Sequence, residues 1–328
     1  MPPPRRSTRL ARIAAAGLLL LLVATLAACR RGPSADDLPG AASEPAGAVR
    51  QLAGHIQRND LQAFARDALP AQEYAQLAQA WSEGRSRWPL TELPMDERIG
   101  PMLAALSNAD GEKKLRRTFD TQLAGQDKAL RDAARTLALF GGQYVKTQGE
   151  YSAEERSHYT QVLAALGAWA GSAPLGDRKH GHAAVEQLAA TARATGLDGD
   201  DAMTAAGMED SLRRLGPFTA ALKNVLAAYG LDLDHSLSHL RTGLVEERGD
   251  HATVRVHYPL AGTEIDTTVS LTRRDGHWYL SDYLAHAASL LHESPATRPG
   301  VDLPLPGPPP PAAGTGAPPP PTGPAAGR

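Results

Sequence analysis

Between residues 48 and 229 apolar side chains return every three to four positions, the spacing that lines one face of a helix. Val49, Leu52, Ala53 and Ile56 form such a stripe over 48–57. NDLQAFARDAL (59–69) predicts a second helix, which Asn59 or Asp60 is placed to cap. Pro70 opens a third, with Tyr74, Leu77, Ala78 and Trp81 on one side, and RWPLTELPMDE then interrupts the pattern with two prolines. Helices are predicted again over 102–106, 113–123 and 128–144. Ser152-Ala153-Glu154-Glu155 has capping-box spacing ahead of Tyr159, Val162, Leu163 and Leu166. Two more helices are expected over 182–195 and 210–229. Gly141-Gly142 and GSAPLGDRKHGH are the expected breaks, and no fixed-period repeat runs through the series.

After Leu240 the period falls to two. TGLVEE, ATVRVHY, TEIDTTVSLT and HWYLSDY each alternate. Val254, Val256 and Tyr258 oppose Arg255 and His257; Ile265, Thr267, Val269 and Leu271 oppose Asp266, Thr268 and Ser270. Arg248-Gly249-Asp250, Leu260-Ala261-Gly262 and above all Asp275-Gly276 suit hairpin turns. The expected fold is therefore α+β: a mainly helical body over 46–292 with a C-terminal four-stranded antiparallel meander within 241–284, one face under helices and one wetter.

Composition agrees with this. Aromatics are only 5%, and alanine and leucine carry much of the apolar content, which favours helices. Formal net charge is -2, so no nucleic-acid partner is expected.

The two ends differ from the body. Arg5, Arg6, Arg9 and Arg12 precede an uncharged run from Ile13 to Ala28, the plan of a signal peptide over 1–28. The run is shorter than the roughly 20 apolar residues that span a bilayer. A retained inner-membrane anchor, with Arg30-Arg31 behind it, is the competing reading. Leu26-Ala27-Ala28-Cys29 holds the only cysteine. It resembles the lipobox of bacterial lipoproteins, in which the thiol becomes a diacylglyceryl thioether and the new amino group is acylated. The resemblance implies lipidation at Cys29, a membrane partner bound through those acyl chains and, because Arg30 is not aspartate, the outer membrane. One thiol in an exported chain also precludes an internal disulfide. Residues 29–45, rich in Pro, Gly, Ser and Asp, read as a tether. The tail, 293–328, holds 13 of the 26 prolines; it is expected to be disordered, with polyproline II character, and is a candidate arm towards cell wall or envelope proteins.

The helices and meander, closing on RRDGHWYLSDY, are similar to the nuclear-transport-factor-2-like superfamily, whose exported members often carry a Gly-x-Trp hairpin matched here by Gly276 and Trp278. The similar part is roughly 212–290, with the helices at 46–88. It implies a pocket between sheet and helices, used within that superfamily for catalysis, ligand binding or assembly.

Candidate chemistry is thin. Asp232, Asp234, His235 and His239 form the best metal-like cluster, but a further ligand would have to come from elsewhere. His180-Gly181-His182 is expected in a solvated loop. Asp198, Asp200 and Glu209 fall on calcium-loop positions, but Ala202 and Met203 replace a ligand and the turn glycine. Glu264 and Asp266 are expected on opposite faces of their strand. Trp81, Trp88 and Trp169 are expected in the core. No nucleophile elbow, Ser-x-x-Lys pair or phosphate-cradling loop is present. No catalytic, metal or cofactor residue is therefore assigned, and no cofactor is expected. The expectation is a lipid-anchored envelope protein with a non-catalytic binding or scaffolding role at the periplasmic side of the outer membrane. The alternative is a periplasmic enzyme or small-ligand carrier using a pocket under the sheet. A deep cavity with converging polar groups would favour the alternative; a filled core with an exposed apolar patch would favour the binding role.

Overall fold

The computed structural model describes residues 42–93, 95–147 and 151–292. The expected signal peptide, Cys29, nearly all of the expected tether and the proline-rich tail lie outside the described residues. The helices are α1 (Pro45–Gln57), α2 (Leu61–Ala68), α3 (Ala71–Ser82), α4 (Ile99–Ser107), α5 (Gly111–Gln122), α6 (Asp127–Thr147), α7 (Ala153–Ala170), α8 (Arg178–Thr195), α9 (Asp200–Ala228) and α10 (Leu233–Ser238). Short 3-10 turns at Leu90–Glu92 and Asp96–Arg98 separate α3 from α4. Strands β1 (Arg241–Arg248), β2 (His251–Leu260), β3 (Thr263–Arg274) and β4 (His277–Leu280) follow, and α11 (Ser281–His292) closes the body. The fold is α+β, mainly helical, with a four-stranded antiparallel sheet in the order β1-β2-β3-β4 near the C-terminus.

Local chemistry sets the helix boundaries. Asn59, at φ 60°, turns the chain out of α1. The Asp60 carboxylate then accepts from the Ala63 N–H at 2.9 Å and starts α2. Of the two cap candidates, one turns the chain and the other caps. Inside α9, Gly207 leaves the helix at φ 78°, ψ 170°, a conformation that a side chain would strain. The Met203 carbonyl, which would otherwise take the Gly207 N–H, accepts from Trp81 Nε1 at 2.8 Å and Ser211 Oγ at 3.1 Å. The kink is thus satisfied by side chains, not left open.

A buried polar clamp joins α1 to α2. Asp67 is 4% exposed. Its Oδ2 accepts from Gln51 Nε2 and His55 Nε2, both at 2.8 Å, and its Oδ1 accepts from Arg66 Nε at 2.9 Å. Arg58 Nη2 lies 3.0 Å from His55 Nδ1. Arginine only donates, so Nδ1 is the acceptor and Nε2 the donor to Asp67. Lys223, buried on α9, donates to the Ile56 and Gln57 carbonyls at 3.2 and 2.8 Å and to Asp234. It thereby satisfies the last carbonyls of α1.

In the sheet, Val254 faces Val269, Tyr258 faces Ile265 and Leu271 faces Leu280. Asp275 and Gly276 both take positive φ, 51° and 79°, as a two-residue hairpin turn of this type requires. The covered face meets helices at both ends. Ala48 and Val49 of α1 pack with Val254, Val256, Leu271 and Trp278. Ala165 of α7 and Leu231 pack with Leu260 and Ile265. A larger core built on Trp81, Trp88, Leu103 and Leu212 holds the helices together and takes in Tyr279, Leu284 and Leu290. Cutting any of these buried indoles to alanine costs roughly 3–5 kcal/mol.

Five expectations change. His180 and His182 are helical, because α8 starts at Arg178: the Asp177 carboxylate accepts from the His180 N–H at 2.8 Å. Gly181 marks close packing there, since a Cβ would lie 2.2 Å from the Phe119 ring. Gly141-Gly142 does not break α6, which runs on to Thr147. The last strand stops at Leu280, and Ser281-Asp282-Tyr283 begins α11. Finally, Glu264 and Asp266 stand two apart on β3, so they share a face: His257 lies 4.0 Å from one and 3.5 Å from the other. Arg255 and Arg241 hold the two carboxylates. Ala42, expected in the tether, belongs to the fold, its carbonyl accepting from the Trp278 N–H at 3.0 Å.

Candidate functional site

The helical hairpin α6–α7 stands out because its two helices are used so differently. The capping box expected at Ser152 forms: its hydroxyl accepts from the Glu155 N–H at 3.1 Å, and Glu155 Oε2 accepts from the Ser152 N–H at 2.7 Å. Along α7, His158 Nε2 meets the Tyr258 hydroxyl at 2.7 Å and Trp169 Nε1 donates to the Tyr229 carbonyl at 2.8 Å. Burial lowers the His158 pKa and pushes Tyr258 up to about 12, so this pair is a neutral contact at physiological pH. The Gln161 amide spans both backbone groups of Asp266, donating to its carbonyl at 2.8 Å and accepting from its N–H at 3.1 Å. These contacts fix α7 to β2, β3 and the C-terminal end of α9.

By contrast, α6 packs against α7 and makes no comparable contact with another element. Its covered side carries Val145, the one buried residue of the helix, among small residues. Ala138 opposes Gly167, where a Cβ would sit 2.5 Å from the alanine methyl, and Gly141 opposes Leu163. Its large apolar residues face solvent. Leu137 is 67% exposed, Leu139 77%, Phe140 60% and Tyr144 36%. Leu137, Phe140 and Tyr144, three and then four residues apart, share one flank. Such a face on a folded body is unusual, because apolar stripes of this kind are ordinarily the buried ones.

A second polar convergence lies where the turn before α4, α7 and α11 come together. Glu92 Oε1 accepts from Trp88 Nε1 at 2.8 Å and pairs with His286 Nδ1 at 2.7 Å. Burial, then the charges of Glu155 and Glu92, pushes the Asp282 carboxyl up. Burial, again followed by neighbouring carboxylates, raises the Tyr159 and Tyr283 phenols. Two depressions among the described residues are open to solvent, one beside Lys113 and Arg117 on α5, the other between Asp60 and Gly216.

The weighed constellations are dispersed. His235 and His239 stack with ring centres 4.0 Å apart, while Asp232 caps α10 and Asp234 is taken by Lys223. His180 pairs with Asp177, and His182 with Asp120. Glu209 accepts from the Tyr74 hydroxyl at 3.0 Å, whereas Asp200 starts α9 beside Arg87, so the calcium-like spacing gathers no site. Among the described residues no three His, Cys, Asp or Glu side chains converge as metal ligands. Trp81 and Trp88 are fully buried, and Trp169 packs in the smaller core between α7 and the sheet. Cys29 lies outside the described residues. No described helix is long and apolar enough to cross a membrane. No protein-family model matches this chain, and no curated protein or solved structure matches it either.

Proposed function

We propose that this chain is a lipid-anchored envelope protein, held by acyl chains on Cys29 at the periplasmic side of the outer membrane, with a non-catalytic binding or scaffolding role. The observation that carries the binding role is the exposed flank of Leu137, Phe140 and Tyr144 on α6, set against a space between sheet and helices filled by Val254, Val256, Ile265, Leu271 and Trp278. A filled interior leaves the outer surface as the means of recognition. The lipobox at 26–29 supports the anchoring. The order of helices and meander, with Gly276 and Trp278 in its last hairpin, supports kinship of the C-terminal part with the nuclear-transport-factor-2-like superfamily.

Anchoring is tested by comparing wild type with Cys29→Ala by mass spectrometry and membrane fractionation. Acyl mass and sedimentation with membrane in wild type alone are expected. An uncleaved N-terminus in both would make the apolar run a plain anchor and end this reading. The rival, an enzyme or ligand carrier, draws on Glu92, His286 and Asp282. It predicts that His286→Ala abolishes binding of a small ligand without unfolding the protein.

A further inference from the structure

We infer that the outward face of α6 seats on an anionic lipid surface, so that the body lies on the bilayer that anchors it. The inference rests on the anchoring proposed above for its geometry, but its chemistry is that of α6. Leu137, Phe140 and Tyr144 occupy one flank of the helix. Lys128, Arg135 and Lys146, seven and eleven residues apart, align on the other, with Leu139 beside them. Small or neutral Ala129, Thr136 and Gln143 lie between. The sole carboxylate on this outward half is Asp132, and Lys128 already holds it at 2.7 Å. From Ala133 to Thr147 there is none. An interfacial helix has this composition: leucine and aromatic rings to enter the headgroup boundary, cations to meet its phosphates.

The net charge of α6 points the same way. Asp127–Thr147 alone carries four Lys and Arg (128, 131, 135, 146) against two acids (127, 132), in a chain whose net charge is -2. A second copy of this chain would bring like charge against like, whereas an anionic bilayer supplies the opposite sign. Reach is adequate: the residues from Cys29 to Pro45 extend at most roughly 55 Å. The body therefore stays near the bilayer, where weak surface contacts gain from high effective concentration.

The test uses the full chain, expressed so that it can acquire acyl groups, with a single environment-sensitive NBD label at Phe140→Cys. Glu83→Cys, on an exposed helix end, is the control. Vesicles contain phosphatidylethanolamine with one third phosphatidylglycerol. The label at 140 should shift to the blue, gain intensity several-fold and be quenched by spin-labelled lipid, while the label at 83 stays aqueous. Adding Leu137→Glu and Tyr144→Glu should abolish the shift with circular dichroism unchanged, and 0.5 M salt should weaken it. A protein that floats with vesicles while its label at 140 stays aqueous would overturn the inference and leave anchoring intact. A shift that needs no lipid and grows with protein concentration would overturn it in favour of a second copy. If Cys29 carries no acyl mass, the anchoring proposal fails by itself. Excess vesicles then decide the rest: a shift at 140 keeps the lipid-binding face, and none removes it.

Discussion

Replacing Asp67 tests whether the α1–α2 clamp holds the fold together. The carboxylate accepts three hydrogen bonds at 2.8–2.9 Å in a site 4% exposed. Asp67→Ala strands the buried His55 donor, a loss that typically costs about 1–3 kcal/mol, while the half-exposed Arg66 loses little. Asp67→Asn keeps the volume. Its amide oxygen can face His55 and Gln51, and its NH₂ then meets Arg66, whose side chain is 46% exposed and free to turn to water. We expect about 1–2 kcal/mol for that change. The pH dependence follows from the direction of the Asp67 shift. Burial is the largest influence and acts to raise the pKa, but the hydrogen bonds from His55 and Arg66, with the Arg66 charge, outweigh it and leave the pKa below its ordinary value. A carboxyl whose folded pKa is depressed stabilises the protein above its unfolded value, near 4, and loses that contribution as pH falls through the folded value. Urea unfolding at pH 7 and at pH 3.5 should therefore show the gap between wild type and Asp67→Asn narrowing in acid. A loss below 1 kcal/mol for Asp67→Ala, or a gap that widens on acidification, would refute the reasoning.

Two further substitutions probe other joints. Lys223→Met leaves the Ile56 and Gln57 carbonyls without their shared ammonium donor; about 2–3 kcal/mol of stability should go, read by thermal or urea unfolding. Gly167→Ala pushes a methyl towards Ala138, and because α6 rests chiefly on α7, hydrogen exchange should accelerate within 127–147 while the global midpoint moves little.

The sheet was legible because one face is covered and the other is wet, so Val254-Val256-Tyr258 and Ile265-Val269-Leu271 wrote their alternation into the chain. Glu264 and Asp266 obey the same alternation, and placing them on opposite faces misapplied it. α11 was hidden because Trp278, Leu280 and Asp282 continue the spacing of a strand just where Leu284, Ala287 and Leu290 begin that of a helix. The candidate surface was harder to foresee. Periodicity revealed α6, but it cannot say which side is buried, and the ordinary inference would bury Leu137, Phe140 and Tyr144. What reverses it is the close approach that Ala138 and Gly167 allow, which depends on two helices meeting. The Asp67 clamp likewise exists only once α1 and α2 cross.

One consequence concerns crowding. A population of chains confined to a surface meets its neighbours in two dimensions, and every unpaired strand is then a template for fusion. Here each border of the sheet carries a different interruption. On β4 the Trp278 N–H is spent on Ala42. Beyond the end of β4, the Gln161 amide imitates a fifth strand against Asp266. On β1 the register slips at Val245, which has no partner across the ladder. Where copies share a surface, these interruptions work against edge pairing of their sheets, and a chain that loses the Gln161 plug should be the first to clump.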